Sequence, residues 1–437
     1  MVPIAPFGIY GFILAQSRGM VALVYLVGMA AMIFTAFSYA SMSRAFPVAG
    51  SVYSYAGRGI HAGVGFVAGW AILLDYILVP SLLYIVGGTA MTSFVPAIPA
   101  WAWVLAFIAF NTVINLRGMQ ASAKFNRLML VAELAVLGIF VVIGLSVIAA
   151  HRGGAAPSIK PLYDGHGFSL SLILGAVSVA VLSFLGFDGI STLSEETRGG
   201  AKTVGRATVS ALLIVGLLFM VQTWVAAMAV PQSRLHNPNT AFYDAAGIIG
   251  GHWLAVLTAV ATAVAWGIAN ALAAQAATSR LLFSMARDRK LPRLLSKVHP
   301  RTQVPINATL LVAAISVIVG LALVSRIAFL TSIVNFGALF AFMLLHISVV
   351  TYYVVRRRSR RWFAHLISPV LGFVIIAYVW VHMDIHAKIG GFTWLAVGLV
   401  VLLVFRLRGK DLSLPEVDET HAAPPAAAEP RRQAGAA

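Results

Sequence analysis

Three acidic positions stand where acids are costly. Asp75 lies in the apolar run GWAILLDYILVP, Asp188 in SFLGFDGI and Glu133 in LMLVAELAVLG. Glu195 stands with Glu196 just past the run that holds Asp188. A charge at mid-bilayer costs about 2.5–3.5 kcal/mol on an insertion scale, so such a group turns to the protein interior and finds work there. The work open to a lone carboxylate is to hold a cation or to carry a proton. Asp75 reads as an anionic partner for an ammonium or as a structural carboxylate bonded to a neighbouring helix. Asp188 reads as a cation partner, a proton acceptor or the cap of a half-helix. Glu133 reads equally as a proton carrier and as a snorkelling or helix-bonded acid. Glu195 reads as a solvated helix end, with a gate as the second reading. Trp266 and Asn270 lie four residues apart, hence on one helical face, where the indole could stack over an ammonium or simply fill space. Asn335 reads as a packed core amide, and His346 as a packed histidine with a proton relay as the second reading.

Glycines surround the second of these acids. Ser183-Phe184-Leu185-Gly186-Phe187-Asp188-Gly189-Ile190 sets two glycines and a carboxylate inside an apolar run. Unwound backbone at membrane depth is tolerated only where protein or a water-filled cavity surrounds it, so this stretch is expected to be a discontinuous helix lining a site. Phe7-Gly8-Ile9-Tyr10-Gly11 repeats the G-x-x-G pattern five apolar runs earlier. An odd number of runs per repeat makes the two copies antiparallel, and interrupted segments at matching places in two halves point to a binding site between them. The other reading of both is helix-packing glycine.

The elements that must position these residues are membrane spans. Of 437 residues, 60% are hydrophobic and 10% charged, and the mean hydropathy is +0.90. Soluble domains run near 25% charged. Apolar runs of about 20 residues occur at 1–15, 21–43, 63–95, 101–116, 128–150, 170–193, 209–230, 253–282, 306–324, 327–355, 366–382 and 392–405. The expectation is an all-α polytopic membrane protein of twelve spans with the first truncated. Placing the first span inside-to-outside puts 25 of the 31 lysines and arginines on one side, which predicts cytoplasmic N- and C-termini. The segment at 47–65 reads as a short interfacial helix with Tyr53 and Tyr55 at headgroup depth. Residues 411–437, rich in Pro, Ala and Glu, read as a disordered cytoplasmic tail.

Several functions are disfavoured. The net charge of +17 sits in short loops between spans and forms no nucleic-acid face. There is no cysteine, so no disulfide or thiolate metal site is expected. The histidines lack H-x-x-H and H-E-x-x-H spacing, and no glycine-rich stretch ends in G-K-[ST]. No metal, cofactor or enzyme activity is expected. A channel would need a continuous polar stripe and a sensor a folded soluble domain; neither is present.

GSVYSYAGRGIHAGVGFVAGWAILLDY (50–76), FLGFDGISTLSEET (184–197) and SRLLFSMARDRKLP (279–292) resemble the amino acid–polyamine–organocation superfamily of transporters. The aspartate of WAILLDYILVP together with FLGFDGISTLSEET looks most like its bacterial putrescine importers. The resemblance runs from the first residue to about Arg408. It implies a leucine-transporter-like fold of 5+5 inverted repeats plus two peripheral helices: residues 1–150, residues 151–356, and peripheral spans over 357–410. It implies secondary active transport by alternating access in the bacterial plasma membrane, with a proton as coupling ion. By position it implies that Phe7, Gly8, Ile9, Tyr10 and Gly11 line the central site with Ser183, Phe184, Gly186, Phe187 and Asp188, and that Asp75, Trp266 and Asn270 wall it. Asp188, Glu133 and Glu195 are the candidates for proton coupling or gating. Members of the superfamily usually carry a cytoplasmic segment before the first span; here only five residues precede the break. The expected substrate is a small organic cation such as the polyamine putrescine. An amino acid, or amino acid/polyamine exchange, is the alternative.

Overall fold

The structure, a computed structural model, describes residues 2–46, 52–118, 123–188, 200–287, 291–300 and 302–408. All regular structure among these residues is helical. Eight helices are long and apolar enough to cross a membrane. They are α2 (Val21–Ala45), α4 (Ala62–Phe94), α6 (Ala123–Ala149), α8 (Gly200–Ala229), α10 (His252–Arg287), α12 (Ile327–Arg356), α13 (Phe363–Val381) and α14 (Ile385–Leu407). Three shorter apolar helices join them: α5 (Ala100–Leu116), α7 (Leu170–Phe184) and α11 (Ile306–Ala322). The remaining helices are α1 (Tyr10–Gln16), α3 (Val52–Gly59) and α9 (Ala241–Gly250).

Packing separates two classes of helix. The best apolar window of α12 is 72% buried and that of α4 61%, whereas α14 is 17% and α6 22% buried. The first pair therefore sits at the centre of the bundle and the second turns most of its surface outward. Close approach at the centre rests on small residues, as expected where lipid supplies no hydrophobic drive between helices. A Cβ on Gly87 of α4 would lie 2.8 Å from the Cα of Gly267 in α10, and one on Gly337 of α12 would lie 2.4 Å from the Ala71 carbonyl oxygen of α4.

Two features add to the sequence reading. α3 forms, but Tyr55 is fully buried with its ring edge-on to Tyr39 at 6.0 Å, and Tyr53 lies on Gly69 of α4. The aromatic rings face the bundle because α3 packs along α4. The second is α9, absent from the hydropathy reading because ten residues are too few for a span. Its Phe242 stacks on Phe7 at 3.8 Å and sits 4.6 Å from Phe140 of α6, which buries the first helix break. The stretch 411–437, the acids Glu195 and Glu196, and the outgoing part of the Asp188 segment lie outside the described residues.

Candidate functional site

A cavity of about 300 Å³ lies where four segments meet. Val2 and Ala5 border it before the first break. Asp75, Tyr76, Val79 and Leu83 come from α4. Leu182, Ser183, Leu185, Gly186 and Asp188 come from the end of α7 and the turn after it. Trp266, Asn270, Ala273, Ala274, Ala277 and Thr278 come from α10. Among the described residues the wall contains two carboxylates and no lysine, arginine or histidine.

The first helix break expected from the sequence is present locally, and at the second the described residues show the end of α7 and the turn after it. A 3₁₀ turn, Ala5–Gly8, stops at Ile9 (φ −131°, ψ 4°), and α1 starts at Tyr10. The interruption falls on Ile9 and not on a glycine. Gly8 and Gly11 serve close packing: a Cβ on Gly8 would meet the Val86 side chain at 2.5 Å, and one on Gly11 the Pro238 carbonyl oxygen at 2.3 Å. α7 ends at Phe184, Leu185 turns extended (ψ 148°), and Gly186 takes φ +98°. An L-side chain pays roughly 1–2 kcal/mol in the left-handed region. Gly186→Ala is accordingly expected to lower stability by about that amount, read by thermal unfolding in detergent; an unchanged midpoint would mean the turn does not need this conformation.

The carboxylates differ in their partners. Asp188 Oδ1 accepts from the Gly186 N–H at 3.1 Å, and the Tyr76 hydroxyl donates to Oδ2 at 3.5 Å. Asp188 thus closes its own turn and reaches α4. Asp75 is 7% exposed, and its Oδ1 makes no hydrogen bond. An unpaired buried acceptor carries its full desolvation penalty, so this oxygen is open to a donor in the cavity. The Ser183 hydroxyl is tied to Tyr25 of α2 at 3.1 Å.

Two irregular helices shape the wall. Pro80 lies inside α4 and has no N–H to give to the carbonyl of Tyr76 four residues earlier. The Thr278 hydroxyl of α10 donates to that carbonyl at 2.6 Å. A hydroxyl is one of the groups that re-satisfy backbone freed by proline at membrane depth. The stretch Ala263–Asn270 of α10 is π-helical, a form frequent at functional sites. Asn111 of α5 donates to its Gly267 carbonyl at 2.8 Å, and Asn115 donates to Gln275 at 2.7 Å. The wide turn brings Trp266 and Asn270 to the cavity together, and the buried Trp266 Nε1 has no partner.

Of the residues singled out from the sequence, Asp75, Ser183, Gly186, Asp188, Trp266 and Asn270 line this cavity. Phe7, Gly8, Ile9, Tyr10 and Gly11 do not; they are packed behind it, with Tyr10 edge-on to Phe242. Phe184 packs on Tyr25 and Phe219, and Phe187 on Tyr39 and Phe342. Glu133, 9% exposed with Oε2 unpartnered, is on α6 away from the cavity wall. Glu195 lies outside the described residues. Asn335 donates to the Ser178 carbonyl at 2.6 Å, and His346 is held between Ser38 (2.8 Å) and Thr35 (3.3 Å), in keeping with packed core groups. Tyr76 and Thr278 were missed. The signal available was Pro80 five residues after Asp75, which frees a carbonyl that some neighbour must satisfy.

Comparison with known proteins fits this geometry. The family model described as amino acid permease matches residues 1–405. The chain belongs to the amino acid permease family. It is an integral membrane transporter, and all regular structure among its described residues is helical. Among its relatives, the low-affinity putrescine importer PlaP of Escherichia coli strain K12 is 32% identical over 92% of this chain and 89% of the relative. The branched-chain amino acid permease BcaP of Lactococcus lactis is 29% identical over 92% and 91%. The methylthioribose transporter of Bacillus subtilis is 26% identical over 91% and 88%.

Proposed function

We propose that this permease imports a small organic dication, a diamine of the putrescine kind, across the bacterial plasma membrane. The observation that carries the reading is the cavity wall: among the described residues, two carboxylates and no basic side chain. A buried charge needs a partner, and two anions in one cavity match two ammonium groups joined by a short apolar chain. Asp75 would take one ammonium through its open oxygen. Asp188, already oriented by Gly186 and Tyr76, would take the other. Val79, Leu83 and the alanines of α10 would contact the methylenes, and Trp266 would lie against the cation, worth roughly 0.5–2 kcal/mol.

The relative named as a branched-chain amino acid permease supports the second reading, an amino acid. A zwitterion needs free amides for its carboxylate. The Gly186 N–H is used by Asp188, and the Phe7 and Ile9 N–H groups by the carbonyls of Ile4 and Pro6. The dication is therefore favoured.

Alternating access between two inverted repeats, residues 1–150 and 151–356, with 357–410 peripheral, belongs to this reading. So do cytoplasmic termini, supported by the lysine and arginine count, and proton coupling, since a proton is the smallest cation either carboxylate can exchange for substrate. Labelled putrescine is expected to accumulate in proteoliposomes under an inward proton gradient, unaffected by a tenfold excess of leucine. If leucine abolishes uptake while excess putrescine leaves labelled leucine uptake intact, the diamine reading goes.

A further inference from the structure

The junction between α12 and α13 carries RRRSRR at 356–361, and its geometry exceeds what membrane orientation requires. Arg356 is used structurally: it donates to the Arg58 and Ile60 carbonyls beside α3. The next four arginines, Arg357, Arg358, Arg360 and Arg361, are exposed. The turn that presents them is fixed. Arg358 takes φ +50°, uncommon for a residue that is not glycine. Around it the Arg357 N–H donates to the Tyr352 carbonyl at 3.0 Å and the Ser359 N–H to the Tyr353 carbonyl at 2.8 Å. Ser359 Oγ also bonds His365 Nδ1 at 2.8 Å, and the His365 ring stacks on Tyr353 at 3.8 Å. A strained turn kept by its surroundings is a pointer to function.

A second element converges on the same place. Arg44, exposed in the last turn of α2, comes from far away in sequence. The Tyr353 hydroxyl donates to the Ser41 carbonyl of α2 at 2.8 Å, and the Phe46 ring just past α2 lies 4.8 Å from the Tyr352 ring, so the end of α2 that carries Arg44 meets the turn at 357–361. Beside this basic cluster Trp362 is 56% and Phe363 63% exposed. Loop charge alone suffices to orient a span. It does not call for arginines gathered from two distant helices around a stacked ring pair, with aromatic side chains turned outward next to them.

We propose that Arg44, Arg357 and Arg361 form a binding site for the phosphate headgroup of an anionic phospholipid, with Trp362 and Phe363 against its acyl chains. Basic pockets between spans take such headgroups, and tryptophan favours the interfacial depth this requires. The proposal is independent of the transported substrate.

Quenching by brominated lipid tests it. The full-length protein is reconstituted in vesicles containing either brominated phosphatidylglycerol or brominated phosphatidylcholine at equal fraction, and the Trp362 signal is isolated by difference from Trp362→Phe. The Trp362 component should prefer the anionic lipid, and each arginine removed should lower that preference about fivefold. Arg44→Gln alone, which leaves the 356–361 run intact, should already show this loss, and Arg44→Gln/Arg357→Gln/Arg361→Gln should show no preference. Equal quenching by the two lipids, or a triple variant that keeps the preference, overturns the site. Millimolar inorganic phosphate should leave the quenching unchanged; if it removes the preference, the cluster binds free phosphate and the lipid assignment is wrong.

Discussion

Asp75→Asn is expected to raise the KM for putrescine about a hundredfold while leaving the protein folded. Truncating one partner of a buried charge pair costs about 2–5 kcal/mol, and 3 kcal/mol is about a factor of a hundred. The substitution keeps the shape of the side chain. It removes a charge whose Oδ1 has no protein partner, so the substrate-free protein should be as stable as the wild type or more so. Two readouts separate a binding role from a structural one. Putrescine should raise the thermal midpoint of the wild type, by the linkage that stabilises any form that binds ligand, and fail to raise that of the variant. The preference for putrescine over butylamine, which carries one ammonium, should collapse toward unity, because the second charge then meets an amide. A variant that keeps its diamine preference would remove Asp75 from the site and leave Asp188 as the sole anionic anchor.

Hydropathy made the helices legible because the bilayer enforces length: each long run at mid-chain coincides with a helix, and α9 escaped only by being ten residues long. Carboxylates among apolar neighbours were equally legible. Asp75 and Asp188 have few tolerable places other than a cavity, and they share one. Glycine was the weaker guide. At Gly186 it marks a positive φ, but at Gly8 and Gly11 it marks contact with Val86 and Pro238, and one sequence pattern serves both uses. Phe7 and Phe187 could not be separated from cavity residues by type, since an aromatic ring suits a cation and a core alike. Glu133 shows the same limit. An acid on an apolar helix must be accommodated, yet its neighbours on α6 do not reveal that the cavity is elsewhere. Thr278 was hidden for another reason: it acts on a backbone carbonyl in a different helix, and no local pattern in α10 announces that.

Thr278→Val should therefore be costly in a way that depends on Pro80. The valine keeps the volume and the β-branch but loses the donor to the Tyr76 carbonyl. A buried acceptor left unpaired costs about 1–3 kcal/mol, and the strain falls on the residue whose hydroxyl reaches Asp188. Stability should drop by about that amount and transport by about tenfold. Pro80→Ala supplies the missing N–H four residues downstream, so in that background the helix bonds the carbonyl itself and Thr278 becomes dispensable. The double-mutant cycle should then show a coupling of about 1 kcal/mol or more, as expected for residues that share one acceptor. Thr278→Ser, which keeps the hydroxyl, should behave like the wild type in both backgrounds. Additive effects of Thr278→Val and Pro80→Ala on the unfolding midpoint would mean that the carbonyl finds its donor elsewhere. The cavity wall at Tyr76 would then owe its position to helix packing, and not to the hydrogen bond from Thr278 of α10 to α4.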